Sequence, residues 1–131
     1  MCQAMNNRNS LSPKAKAVLN EIYGALQRFI ETGEGGSIFI NKMSLSPEER
    51  QEIRDYLGQG NIKVSLSETA EPAEWLESGI SGIWFGVFYD HTKNPMLETI
   101  EICQFPVIAS TQLEDAHRGL TNLKYRLEGE E

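Results

Sequence analysis

Few residues in this chain are of types that perform covalent chemistry. Cys103 and His117 supply a thiol and an imidazole, the pair that forms a nucleophile and its base, with Asp115 or Glu101 available to orient the ring. No local signature surrounds either one. Cys103 reads far better as a small buried hydrophobe, because it ends the apolar run Ile100-Glu101-Ile102-Cys103 and free cysteine is among the most buried residue types. The carboxylates are numerous but dispersed. Glu98 and Glu101 stand three apart on one expected strand, so they point to opposite faces and share no proton-transfer site unless a bulge intervenes. Glu68, Glu71, Glu74 and Glu77 could be gathered as a carboxylate metal site, whereas an acidic connecting segment of this kind is ordinarily solvated.

Metal and phosphate signatures are missing from the pattern. Two cysteines, Cys2 and Cys103, make no disulfide framework, and with the two histidines they form no CxxC or HxxxH spacing. Gly33, Gly35 and Gly36 follow a helix and precede a strand, the reverse of the order in which a glycine-rich loop delivers phosphate to a helix N-terminus. No cofactor and no metal is implied. Two tryptophans remain. Trp84 opens a dense β-forming run and reads as core. Trp75 lies in a polar, acidic stretch and reads as an exposed contact residue, since aromatic side chains combine large area with low ordering cost. The pattern is that of an interaction module.

The elements that must carry these residues are legible. Residues 1–11 are polar and without period, and are expected to form a flexible N-terminal tail. Ser12-Pro13 is a helix start, followed by an apolar stripe from Ala15 to Ile30 and a terminating Gly33. Ser37-Ile38-Phe39-Ile40 is a short strand. Ser46-Pro47-Glu48-Glu49 has the form of a capping box, opening a helix that stops at Gly58. Its residues Arg50, Gln51, Arg54 and Asp55 read as a solvent-facing side.

Strict alternation from Asn61 to Ser67 predicts a strand with Ile62, Val64 and Leu66 on its apolar face. Residues 68–79 read as a connection with a short strand around Trp75. Ile80 to Tyr89 is apolar on both faces, so it is placed centrally in a sheet, and Gly79, Gly82 and Gly86 mark a bend, a bulge or a close backbone approach. A turn-rich loop at Asp90–Pro95 returns the chain antiparallel through Met96–Phe105. A last helix begins near Thr111 and shows Leu113, Ala116, Leu120, Leu123 and Leu127 on one stripe. The expected fold is therefore α+β, a small antiparallel or mixed sheet with helices packed mainly on one face, spanning a single domain of residues 12–131.

The 131 residues fit one domain against a norm of roughly 100–200. A formal charge of −7 argues against a general nucleic-acid binder, whose affinity comes from Lys and Arg on phosphates. No apolar run approaches a membrane span and no secretory signal opens the chain, so a cytoplasmic protein without membrane insertion is expected.

Four segments, taken in order, carry a family likeness: G-E-G-G-S-I-F-I after the first helix; S-L-S-P-E-E-R with Y-L-G-Q-G-N-I-K-V-S-L; Glu77-Ser78 with Gly82-Ile83-Trp84; and I-E-I-C-Q-F-P before the last helix. Over about residues 14–121 the chain resembles the C-terminal conserved region of the hydrogenase expression/formation proteins of the HupH/HyaF family. Ser44, Asn61, Ser78 and Ser81 depart from that pattern. The resemblance implies a non-catalytic accessory role in the maturation of nickel–iron hydrogenase, exercised by binding hydrogenase subunits or other hydrogenase accessory proteins. It draws attention to Trp75, Glu77, Ser78, Gly82, Ile83 and Trp84 as a contact surface; the same residues also suffice to build a strand bend. The rival expectations are a small thiol-dependent enzyme using Cys103 and His117, and a structural domain that self-associates as a homo-oligomer.

Overall fold

A computed structural model describes residues 11–129. The expected tail, including Cys2, lies almost wholly outside the described residues. Helix α1 (Pro13–Thr32) begins where Ser12 Oγ accepts from the Ala15 amide at 3.1 Å, and ends at Gly33, whose φ of 80° is left-handed. Strand β1 (Gly36–Phe39) and a short 3-10 turn (Ile40–Lys42) lead to helix α2 (Pro47–Leu57). Both halves of the α2 capping box are made. The Glu49 amide donates to Ser46 Oγ at 3.0 Å, and the Ser46 amide donates to Glu49 Oε1 at 2.8 Å. That second bond holds the Glu49 carboxyl below its ordinary pKa.

Strands β2 (Gln59–Leu66), β3 (Ala73–Ser78), β4 (Ile83–Tyr89) and β5 (Pro95–Ile102) then form an antiparallel meander. Strand β1 pairs antiparallel with β5, giving the sheet order β1-β5-β4-β3-β2. The α+β reading holds, and the sheet is wholly antiparallel. Strand β4 is central, as its two apolar faces require. The connection expected at 68–79 proves to contain a full six-residue strand, β3, hydrogen-bonded on both sides. In β2 a register shift between Gln59 and Lys63 interrupts the alternation, and Ile62 is left exposed.

Helices α1 and α2 cover one face. Ile22 and Ile53 from the helices meet Ile38, Ile83, Ile100 and Ile102 from the sheet, all buried. Each such side chain contributes about 1.5–3 kcal/mol by leaving water. The Ser12 amide donates to Glu52 Oε1 at 2.8 Å, pinning the start of α1 to α2. The opposite face carries a smaller cluster around Ala73, Trp75 and Trp84. After β5 the chain crosses this face through a second 3-10 turn (Val107–Ala109), and Ala109 packs on that cluster. Helix α3 (Leu113–Gly129) follows and buries none of its residues. The helices that pack do so on one face, and α3 packs on neither.

Candidate functional site

On the helix-covered side, α1 and α2 leave the β3–β4 half of the sheet partly open. The result is a cleft of about 320 Å³. Its floor is apolar, formed by Leu76, Phe85, Val87 and Ile100, and Ile53 closes its inner wall. Charged groups frame it. Arg54 of α2 reaches Glu98 of β5 at 3.3 Å, and Lys63 of β2 reaches Glu74 of β3 at 3.2 Å. Tyr89 donates its hydroxyl to Glu74 Oε1 at 2.9 Å. That bond, with the Lys63 ammonium beside Glu74, holds the Glu74 carboxyl below its ordinary pKa; the same bond, with burial and the charge of Glu74, pushes the Tyr89 hydroxyl above its own. Arg50, one helical turn before Arg54, also lines the cleft and among the described residues makes no ion pair. Apolar floor and polar rim are the anatomy of a binding cleft.

Sequence reasoning missed this arrangement. Arg54 is exposed, as the solvent-facing reading expects, and Arg50 is half-buried; what the sequence does not show is that both border the cleft, and their i,i+4 spacing is the one local signal. Their partners lie on strands far along the chain.

The other face is organised around the tryptophans. Contrary to expectation, Trp75 is not an exposed contact: it is fully buried, its ring edge-on to Phe88 at 5.5 Å. Its acidic neighbour Glu74 misleads, because period-two geometry puts Glu74 on the helix side while Trp75 faces the other way. The indole Nε1–H donates to Glu101 Oε2 at 2.9 Å, and Thr99 Oγ1 donates to the same oxygen at 2.9 Å. Trp84 is core, as expected; its indole donates to the Cys103 carbonyl at 3.2 Å and its ring meets Phe105 edge-on at 5.8 Å.

In the rest of the segment singled out for contact, Ser78 and Ile83 are buried and Glu77 and Gly82 are partly covered. Ser78 is buried and its hydroxyl exchanges hydrogen bonds with the amide and carbonyl of Ile80. Gly82 takes a φ of 95°, and a Cβ there would press on Leu26 Cδ1 at 3.0 Å. Ile83 lies in the main core, while Glu77 is only partly covered. The segment shapes the β3–β4 turn and the floor beneath the face.

The thiol of the enzyme reading is not activated. Burial, with Glu101 close by, pushes the Cys103 thiol up to about 11, the opposite of an activated nucleophile. His117 is exposed on α3. Among the described residues, no three His, Cys, Asp or Glu side chains group closely enough to hold a metal ion, and no helix is long and apolar enough to cross a membrane. Glu98 and Glu101 do face opposite sides, one toward Arg54 and the other toward Trp75.

The sheet, its two covering helices and the charge-framed cleft define a small α+β domain. By sequence the chain belongs to the HupH hydrogenase expression protein family: the model of that family's C-terminal conserved region matches residues 13–129. It is 26% identical over 98 residues to the hydrogenase expression/formation protein HupH of Rhizobium leguminosarum bv. viciae, covering 75% of this chain and 34% of that protein. It is 25% identical over 103 residues to the hydrogenase expression/formation protein HoxQ of Azotobacter vinelandii, covering 77% and 36%. The chain thus spans about a third of the length of the curated relatives it matches. The same fold occurs in the solved hydrogenase expression protein HupH from Thiobacillus denitrificans ATCC 25259, with a TM-score of 0.83 over 90% of this chain and 98% of that one, at 24% identity.

Proposed function

We propose that this chain is a non-catalytic accessory protein in the maturation of nickel–iron hydrogenase, working in the cytoplasm by binding a hydrogenase subunit or another maturation protein. The observation that carries this reading is the family match along residues 13–129. The cleft between α2 and the β3–β4 half of the sheet supports it and is the proposed client site. Its apolar floor takes an apolar side chain of the client, and Arg50 on the wall takes an adjacent carboxylate. The indoles of Trp75 and Trp84, with Ser78, Gly82 and Ile83, serve this function indirectly by holding β3 and β4 in place; Glu77 stands at the margin of the same turn.

The test is co-purification of the tagged full chain from its native host under hydrogenase-inducing conditions, with retained proteins identified by mass spectrometry. The expected result is enrichment of hydrogenase subunits or their maturation proteins over a control tag. A parallel Arg50→Glu chain with unchanged melting should retain them several-fold less. A folded, well-expressed wild-type chain that retains none of them overturns the proposal. Equal retention by the Arg50→Glu chain moves the client site away from the cleft.

A further inference from the structure

The cleft on the helix side holds one cation that the fold itself does not use. Three cations, Arg50, Arg54 and Lys63, and two carboxylates, Glu74 and Glu98, line it. Both carboxylates are engaged, Glu98 by Arg54, and Glu74 by Lys63 and the Tyr89 hydroxyl. Arg50 is half-buried in the lining and, among the described residues, in no ion pair. Its place on α2 does not account for it either. It directly follows Glu48 and Glu49 near the positive end of the helix, where a cation is disfavoured. Its neighbour one turn on is Arg54, a like charge. An excess positive charge in this cleft, within a chain of net charge −7, selects an anion.

Resting on the reading of this cleft as the client site, we infer that what it captures is a polypeptide C-terminus. The last side chain of the client, bulky and apolar, lies on Leu76, Phe85 and Val87, and its terminal carboxylate meets the Arg50 guanidinium. Size and geometry select a chain end over a segment that passes through. At about 320 Å³ the cleft stands at the lower limit of ligand pockets, roughly 300–1,000 Å³. That is room for one large side chain, not for a docked helix, which needs anchors spread over two turns. In an extended segment successive side chains point to opposite sides, so an apolar residue and the acid next to it cannot both enter. A C-terminal residue carries its apolar group and its anion on a single Cα, so one residue satisfies the floor and Arg50 together. The planar guanidinium takes both carboxylate oxygens at once.

The test is a two-dimensional NMR titration of the isotope-labelled full chain with three synthetic acetylated peptides. The first is Gly-Ser-Gly-Ser-Gly-Leu with a free carboxylate, and the second is its C-terminal amide. The third, Gly-Ser-Gly-Ser-Asp-Leu amide, carries the same charge as the first on a side chain. The first should shift the Arg50 Nε–H and the amides of Leu76, Phe85 and Val87. It should bind at least about tenfold more tightly than either amide, the scale of hydrogen bonds between charged groups. Arg50→Gln, with unchanged melting, should bind the first and second peptides equally. Arg50→Lys should keep part of the preference, as a point charge without the planar fork.

Equal binding of the acid and its amide by the wild-type chain overturns the inference. So does equal binding of the aspartate peptide, which would signify an internal acidic site. Shifts confined to residues outside the cleft, or absent at about 5 mM peptide, overturn it as well. The maturation role fails separately. Hydrogenase proteins retained on the tagged chain without carboxylate discrimination would remove only this inference. Carboxylate discrimination without retained hydrogenase proteins would uphold it and remove only that role.

Discussion

The indole of Trp75 on β3 reaches the carboxylate of Glu101 on β5 across the whole width of β4, at 2.9 Å. Gly86 makes this passage possible. It lies between Trp75 and Thr99 in register, and a Cβ on it would fall 2.4 Å from Thr99 Oγ1 and 2.9 Å from Glu101 Oε2. The missing side chain is a lane through which two strands that do not touch are hydrogen-bonded. Three residues spread over 27 positions of chain therefore act as one cross-sheet clamp.

Gly86→Ala closes that lane and is expected to destabilise the fold by about 1–3 kcal/mol, the range of an overpacked core. Trp75→Phe keeps the ring but removes the donor, leaving the carboxylate one partner short at a cost of about 1–3 kcal/mol. Urea unfolding measures both. The two changes disable one clamp, so the double variant should lose less than the sum of the singles. Strict additivity would show that Gly86 and Trp75 act separately.

The Glu74–Tyr89 pair beside the cleft sets the pH response of that region. Glu74 has its native pKa below the ordinary 4.5. Its contribution to stability is thus present above about pH 4.5 and is lost as pH falls through the lowered native value. Tyr89 has its native pKa above 10. Its contribution is complete below pH 10 and is lost as pH rises through the raised value. Tyr89→Phe removes the largest influence on Glu74, and the Glu74 carboxyl carbon followed by NMR should then titrate at higher pH. Lys63 remains, so recovery toward 4.5 should be partial. An unmoved titration would place the cause elsewhere.

Cys103 should be sluggish toward alkylation in the native protein. With its pKa pushed up to about 11, its thiolate fraction at pH 8 is about a hundredfold below that of a thiol at 9, and higher intrinsic nucleophilicity restores about tenfold. In a Cys2→Ser background, iodoacetamide should react about tenfold more slowly with the folded chain than with the chain in urea. A native rate equal to or above the unfolded one would revive the thiol chemistry that Cys103 and His117 suggest on paper.

Local chemistry was enough to read much of this molecule from its residues in order. The starts of α1 and α2 follow from Ser12-Pro13 and from Ser46-Pro47-Glu48-Glu49, because a cap is made between residues three apart. Gly33 ends α1 for an equally local reason, a left-handed φ. The central place of β4 follows from its two apolar faces, and the α+β class from the order of elements. The family follows from segments whose order and spacing survive without any one of them being specific.

What depended on distance in sequence was invisible there. Trp75 sits among acidic neighbours, and the acceptor for its buried indole is Glu101, 26 residues away. Arg54 is solvent-facing as its helix position indicates, but its partner Glu98 lies 44 residues on and only the sheet sets it there. The stripe of α3 is the same in either reading, since an amphipathic period says that a face wants covering. Only the tertiary structure shows that this chain leaves it bare, because whether a surface is buried depends on the other surfaces that reach it.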